Sequence, residues 1–240
     1  MKIVKSIFYL SIVAALSVAT YSCTKQADDS TLRVSIQAVN KTFPISGIAL
    51  KSTALNPSIT MVSGTMSVSK FEFEAKMGKS STDTEEIEIE YKWKGPITVD
   101  LFNSSSVLGN ITLPLGYYDE IELDVHLSKP IAVGMPVIQF AGNYTNASGA
   151  IIPIVFTSFE DVNFKAEQEG AIITAESGSG FTSLIQIYID KMMLGITSEM
   201  LDSATLTSGK IEISATSNVL LYNMMMFNMK KYHHFEMEQD

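Results

Sequence analysis

A strict alternation of apolar and charged residues over positions 86–94 limits the fold more than any other feature of the chain. The apolar positions share one face of an extended chain and are Ile87, Ile89, Tyr91 and Trp93. The positions between them are glutamates and lysines. Because successive side chains of a β-strand point to opposite faces, the pattern predicts a strand with one buried and one solvated face. Residues 117–127 alternate in a similar way, with an acidic polar face.

Further short strands are predicted along the chain, separated by turns rich in glycine, proline and asparagine. A change of phase at residues 69–70 predicts a β-bulge or a strand boundary. Pro153 predicts that the second arm of a hairpin over 137–156 is an edge strand or carries a bulge. A short helix is predicted over 198–204, and a helix with a serine or asparagine cap from Ser217 onwards. We therefore expect an all-β fold, an antiparallel β-sandwich with a short helix and a C-terminal helix.

Composition indicates a sizeable core and excludes several functions. The chain has 240 residues, ample for one large domain or two small ones, and we interpret residues 32–240 as a β-sandwich domain with a candidate boundary near 129–136. The formal net charge is −9 and Arg33 is the only arginine, so no nucleic-acid partner is expected. A single cysteine excludes an internal disulfide and a cysteine-based metal site, and no cofactor is expected.

The first 22 residues have the character of a secretory signal peptide. Lys2 and Lys5 precede an apolar run over residues 7–19, and small residues follow it. A run of this length is too short to span a hydrocarbon core of about 30 Å. Cys23 comes directly after this segment, and residues 24–31 are polar and acidic. We therefore expect the chain to be exported and the leading segment to be removed.

The tetrapeptide Thr20-Tyr21-Ser22-Cys23 resembles the lipobox of bacterial lipoproteins, with threonine where leucine is usual. The resemblance implies cleavage before Cys23, lipidation of its thiol, and a lipidated N-terminus and tether over 23–31. Lys25 with Asp28-Asp29 resembles the acidic export tag of some outer-membrane lipoproteins. It implies a lipid-anchored protein of the outer membrane at the cell surface, with the periplasmic face as the alternative.

A second resemblance, to uncharacterised secreted bacterial lipoprotein domains of the β-sandwich type, involves scattered positions. They are, in order, Tyr91-Lys92-Trp93-Lys94-Gly95, Val99-Asp100-Leu101, Leu113-Pro114-Leu115-Gly116-Tyr117-Tyr118, and a hairpin with Gly142, Gly149 and Pro153. This resemblance implies a fold and no activity.

The acidic strand offers candidate metal ligands. Glu120, Glu122 and Asp124, followed by His126, project from one face about 6.8 Å apart. Such oxygen ligands suit calcium, and carboxylates with a histidine suit acid–base work. The solvated face of an amphipathic strand explains the same pattern and is the favoured interpretation.

Aromatic side chains near predicted strand ends raise the hypothesis of glycan binding, since flat rings stack on sugars. The candidates are Tyr117, Tyr118 and Tyr144, whereas Tyr91 and Trp93 continue an apolar face and are expected in the core. Two aspartate-first triplets, at Ser30 and Ser203, resemble O-glycosylation acceptors of some exported bacterial proteins.

A methionine-rich segment near the C-terminus is ambiguous between a core helix and a copper(I) site. It contains Met224, Met225, Met226 and Met229, with His233 and His234 beyond them. Consecutive residues of a helix point in different directions, so burial is the favoured interpretation.

These features together predict a non-enzymatic, lipid-anchored envelope protein that binds a glycan or a partner envelope protein. The alternative is a structural component, such as an adhesin or surface-filament subunit, that assembles by strand addition.

Overall fold

A computed structural model describes residues 29–46, 56–78, 87–103, 107–128, 134–173 and 181–239. The predicted signal peptide, Cys23 and most of the candidate boundary near 129–136 lie outside these residues. Within them the strands are β1 (Asp29–Val39), β2 (Thr42–Pro44), β3 (Ser58–Met77), β4 (Ile87–Asp100), β5 (Val107–Pro114), β6 (Gly116–Leu127), β7 (Ile138–Thr145), β8 (Ile151–Ser158), β9 (Val162–Ile173), β10 (Phe181–Tyr188), β11 (Leu206–Thr207), β12 (Lys210–Ile213) and β13 (His233–Gln239). The helices are α1 (Ile189–Met192), α2 (Ser198–Asp202) and α3 (Val219–Lys231).

The strands form two packed sheets, which confirms the prediction of a mostly β fold with minor helix. One sheet has the order β13-β10-β1-β5. The other has the order β11-β12-β8-β7-β3-β6-β9, and β2 and β4 also pair with β3. Both sheets are mixed rather than wholly antiparallel, because β1 pairs in parallel with β10 and β12 with β8. The strands of each parallel pair are distant in the chain, which gives room for the long connection that parallel pairing requires.

Strand β3 ties the two halves of the chain together. Its residues 58–66 pair with β7 and its residues 68–77 with β6. The register shifts between Val68 and Lys70 toward both β4 and β6, which confirms the predicted bulge. Because β6 precedes and β7 follows the candidate boundary, β3 pairs with strands from both sides of it, and one cluster of buried residues includes both sides.

The predicted hairpin is β7 and β8, but the prediction that its second arm is an edge strand or carries a bulge is wrong, because β8 lies between β12 and β7 and its register with β7 is unbroken. β12 pairs with β8 over residues 154–156, so Pro153 lies just outside that pairing. Its partner on β7 is Asn143. A residue without an N–H is tolerated there because no ladder bond from β12 is lost.

Two details of the terminal segments differ from expectation. β1 begins at Asp29, so residues 29–31 belong to a strand that pairs with β5 and the predicted tether is correspondingly shorter. Asn218 precedes α3 but does not cap it through its side chain. Its amide instead bonds the backbone of Thr205 and Glu212, and this joins the start of α3 to β11 and β12.

Candidate functional site: a charged face of the larger sheet

Four neighbouring strands, β4, β3, β6 and β9, present a continuous charged surface. On β3, Phe71 and Phe73 point into the core, and on β6, Ile121 and Leu123 do the same. The residues between them therefore point outward, as the period of two requires. We call the outward side chains of these four strands the ladder face.

The strand registers align the ladder face into four rows that cross β4, β3, β6 and β9 in that order. The rows are Lys94, Lys70, His126 and Asn163; then Lys92, Glu72, Asp124 and Lys165; then Glu90, Glu74, Glu122 and Glu167; and last Glu88, Lys76, Glu120 and Glu169. The charge therefore changes from positive in the first row to strongly negative in the third.

The third row places four glutamates side by side on strands about 4.8 Å apart. Like charges directly opposite each other destabilise a sheet. Lysines of the second row offset this repulsion. Lys92 Nζ lies 3.0 Å from Glu90 and 3.5 Å from Glu74, and Lys165 Nζ lies 2.9 Å from Glu122. Hydrogen bonds to these glutamates raise the pKa of Lys92 and of Lys165.

The carboxylates predicted as metal ligands fall into two separate groups. Glu120 and Glu122 lie with Glu167, whereas Asp124 lies with Glu72 and His126. Lysines already pair with carboxylates of both groups. Lys76 donates a hydrogen bond to Glu120, Lys165 pairs with Glu122, and Lys70 Nζ is 2.5 Å from Glu72. The ammonium groups thus compete with any cation for the same oxygens.

The same lysines set the acidity of two carboxyl groups. A hydrogen bond from Lys70 holds the pKa of Glu72 below its usual value, and burial opposes that effect. A hydrogen bond from Lys76 lowers the pKa of Glu120. A general acid at neutral pH needs a raised carboxyl pKa, so these two glutamates are unsuited to that role.

His126 lies in the first row, beside Asn163, and borders a cleft with mixed polar and apolar lining. Its Nε2 lies 3.1 Å from Asp124 Oδ2 and 3.9 Å from a carboxylate oxygen of Glu72. Ser69 at the bulge donates a hydrogen bond to the His126 carbonyl. The cleft has a volume of about 340 Å³ and is lined by Ser69, Lys70, His126, Leu127, Ser128, Asp161, Val162 and Asn163. Hydroxyl, amide, imidazole and carboxylate groups can all hydrogen-bond a ligand there.

The three tyrosines predicted to bind glycans occupy different environments. Tyr118 and Tyr144 are fully buried, so the expectation that their rings are free for stacking is wrong. Tyr118 donates a hydrogen bond to the Pro114 carbonyl, and Tyr144 donates one to Asp202 Oδ1 at 3.0 Å. Burial, reinforced by Asp202, raises the pKa of Tyr144. Tyr117 alone of the three is exposed.

Of the two triplet serines, only Ser203 is presented by the folded chain. Ser30 is buried in β1, and its Oγ has no hydrogen-bond partner. Because Ser30 is buried, an enzyme that acts on the folded protein has no access to its hydroxyl. Ser203 is exposed after α2, where its Oγ donates to the carbonyls of Glu199 and Met200.

Most side chains of the methionine-rich segment lie in the core, which is the interpretation that the sequence favoured. Met225, Met226 and Met229 are buried on α3, and Met224 packs at the edge of the core. Tyr91 and Trp93 likewise pack against the core from β4.

The alternation along β6 predicts one strand of the ladder face, but no local pattern predicts its partners on β3 and β9. Glu72 and Glu167 lie far from Asp124 and Glu122 in the chain and meet them only through strand pairing. A local pattern carries no information on which strands become neighbours. The alternation in each strand was the usable signal, and it identified outward positions without their order across the sheet.

Comparison of the chain with protein families, with curated proteins and with solved structures finds no match. Among the described helices, none is both long and apolar enough to cross a membrane.

Proposed function

We propose that the chain is a cell-envelope lipoprotein, held on the outer membrane through Cys23, whose folded part is a non-enzymatic module that binds a partner envelope protein. The observation that carries the binding part is the third row of the ladder face, Glu90, Glu74, Glu122 and Glu167. Four adjacent carboxylates on a solvated face repel one another and so reduce the stability of the sheet. Their combined negative charge is suited to recognition of a basic surface.

The size of the ladder face defines the kind of binding. Four strands give a width of about 14 Å, and four rows about 6.8 Å apart give a length of about 20 Å. An area of roughly 300 Å² is well below the roughly 800 Å² per partner of a stable complex. We therefore expect transient, salt-sensitive binding, in which complementary charge chiefly accelerates association.

Strand addition, the alternative mechanism of an adhesin or filament subunit, is disfavoured at two edges. β4 carries Lys92 and Lys94, and β9 carries Lys165, on the outer strands of the ladder face. Charged residues, especially lysines, on edge strands discourage pairing with another chain. A monomeric soluble form lacking residues 1–23 would support binding, whereas concentration-dependent polymers would support assembly.

Glycan binding remains the second candidate, and the His126 cleft favours it. Its hydrogen-bonding groups include Ser69, Asp161 and Asn163. A glycan array with the soluble domain tests this function. Binding that Asn163→Ala abolishes and Thr207→Ala preserves would favour the glycan over a partner protein.

Site-specific photocrosslinking tests the partner-protein proposal in intact cells. The crosslinking residue replaces Glu167 on the ladder face and, as a matched control, the exposed Thr207 on β11. We expect a discrete adduct from position 167 that Glu74→Lys weakens, and none from 207. Equal adducts from both positions would contradict recognition through this face.

Anchoring is tested separately by envelope fractionation of the native chain and a Cys23→Ala variant. The native chain should fractionate with the outer membrane and be cleaved by protease on whole cells. The variant should be released from the membrane fraction.

A further inference from the structure

The edge of the larger sheet at β4 is incompletely covered. Among the described strands, β3 pairs with β4 along one side, and no described strand pairs with it along the other. Ile89, Tyr91 and Trp93 pack against the core but stay only partly buried, whereas their cross-strand partners on β3 are buried. Apolar surface therefore remains beside a strand edge, and exposed edges are templates for pairing with another strand.

The smaller sheet ends on the same side of the sandwich. Its last described strand is β5, and a Cβ at Gly109 of β5 would lie 3.4 Å from the hydroxyl oxygen of Tyr91. The Tyr91 ring therefore lies over the end strand of the smaller sheet. A second molecule that approaches β4 meets the ends of both sheets and displaces no described strand.

The charges along the β4 edge have a self-complementary order. Two glutamates, Glu88 and Glu90, come before Tyr91, and two lysines, Lys92 and Lys94, follow it at matching distances. In an antiparallel pair of β4 strands related by a two-fold axis at Tyr91, residues equally distant from Tyr91 lie opposite each other. Glu88 then faces Lys94 of the second copy, and Glu90 faces its Lys92. Opposite charges directly across two strands stabilise their pairing.

Other registers match the strand less well. An axis at Glu90 places that carboxylate opposite its own copy, and an axis at Lys92 does the same with two ammonium groups. An axis between two residues brings the charged side chains of one copy onto the face of the apolar side chains of the other. The register centred on Tyr91 also places Ile89 opposite Trp93 of the second copy, which is a favourable pair of a β-branched and an aromatic residue.

We propose that two copies of this chain pair edge to edge through β4, antiparallel and centred on Tyr91, to form a dimer. Lysines on an edge strand discourage pairing with most strands, but a copy of β4 offers a glutamate opposite each lysine. A two-fold contact uses the same edge in both copies, so it closes as a dimer and does not propagate as a filament. The pairing requires neither the lipid anchor nor the partner protein proposed above.

The dimer should be weak and sensitive to salt. Residues 88–94 span about 23 Å, and with a sandwich about 20 Å deep the contact is roughly 500 Å² per copy. That area is below the roughly 800 Å² per partner of a stable complex. Pro96 has no N–H and limits extension of the pairing beyond Gly95. The paired charges are exposed to solvent, so salt screens their attraction.

Dimerisation also changes the ladder face. Glu90, at the β4 end of the third row, gains Lys92 of the second copy as a neighbour. This second ammonium group offsets part of the repulsion among the four glutamates. The ladder faces of the two copies become continuous across the two-fold axis, which doubles the charged area to roughly 600 Å².

Carbodiimide crosslinking of the full chain tests the dimer, because this reagent joins a carboxylate to an amine only where the two are in contact. Unlabelled and isotopically labelled chains are mixed in detergent at about 100 µM, which populates a dimer of micromolar affinity. We expect an amide between Glu88 and Lys94 that joins chains of different label. These residues lie about 20 Å apart within one strand, so the link reports two copies. As an internal control, the Lys76–Glu120 contact should give links within one chain only.

Charge reversal at the centre of β4 tests the register. Glu90→Lys and Lys92→Glu each place like charges opposite each other, so either variant alone should form about tenfold less of the link between copies. An equal mixture of the two variants restores opposite charges at both positions and should recover the link. Recovery also shows that both variants fold. Glu169→Lys makes the same reversal on the other outer strand, β9, and should leave the link unchanged.

Three results would overturn the proposal. One is the absence of the Glu88–Lys94 link from the native mixture while the Lys76–Glu120 link forms. Another is a link that persists equally in each single variant, because the two-fold register would then not depend on the charges. The third is failure of the mixed variants to recover the link although each unfolds with a Tm close to that of the native chain.

Discussion

Glu74 on β3 lies directly opposite Glu122 on β6, and each is approached by a lysine from the adjacent row. Lys92 reaches Glu74 from β4, and Lys165 reaches Glu122 from β9. The two like charges are thus held together by countercharges on the outer strands. Removal of one countercharge should expose the repulsion.

The effect of a lysine on stability should depend on its row. Lys92→Met removes the partner of Glu90 and Glu74 and should lower the Tm by about 1–3 °C at low salt. Lys94→Met, two residues along the same strand, removes a charge that faces Lys70 and should leave the Tm unchanged or raise it. Thermal unfolding at low and high salt checks this, and the difference should shrink with salt. Equal destabilisation by both variants would contradict the row arrangement.

Acid should lower the free energy of unfolding, because one glutamate on β3 and one on β6 have lowered pKa values in the folded protein. Hydrogen bonds from Lys70 and Lys76 hold the pKa values of Glu72 and Glu120 below their ordinary value in the folded protein. Their contribution to the unfolding free energy is therefore fully present above about pH 4.5, and it is lost as the pH falls through the folded-state pKa values. The effect should be modest because both groups are partly solvated. Urea unfolding from pH 7 to pH 3 measures it, and Lys76→Met should flatten the Glu120 contribution whereas Lys94→Met should not.

The buried Tyr144 hydroxyl should contribute to stability through Asp202. Tyr144→Phe loses that hydrogen bond and should lower the unfolding free energy by about 1 kcal/mol, whereas Tyr117→Phe at the exposed ring should change it little. Burial raises the pKa of Tyr144, so the unfolded chain loses its phenol proton first and stability falls as the pH rises above about 10. Tyr144→Phe should reduce that slope in urea unfolding. Identical slopes would contradict the assigned environment.

Asn228 should contribute more to the stability of the fold than any other polar residue of α3. Its buried amide donates to the carbonyls of Met192 and Leu194, at 3.1 and 2.8 Å, and so satisfies the end of α1. Asn228→Ala should lower the unfolding free energy by about 1–3 kcal/mol. Asn223→Ala makes the same change at an exposed position of the same helix and should be close to neutral. A similar loss in both variants would contradict the role of these hydrogen bonds, because alanine is the better helix former and propensity alone predicts no loss.

Local patterns predicted much of the fold because they reflect local physical chemistry. The alternation at 86–94 identified β4, the phase change identified the bulge at Ser69, and helix-forming residues identified α3. The burial of Tyr118 and Tyr144 was not predicted, because it depends on hydrogen-bond acceptors that no local pattern identifies. The Tyr118 hydroxyl donates to the Pro114 carbonyl, and the Tyr144 hydroxyl donates to Asp202, which is distant in the chain. These bonds allow each polar ring to lie in the core. The ladder rows were missed for a related reason, since register is a property of paired strands.

The mass of the mature N-terminus is the most direct test of the central proposal. The protein would be extracted from native membranes with detergent, and its N-terminal peptide would be analysed by mass spectrometry. We expect a chain that begins at Cys23 and carries acyl chains on that residue. A chain that retains residues 1–22, or one that begins elsewhere with an unmodified Cys23 thiol, would contradict lipid anchoring.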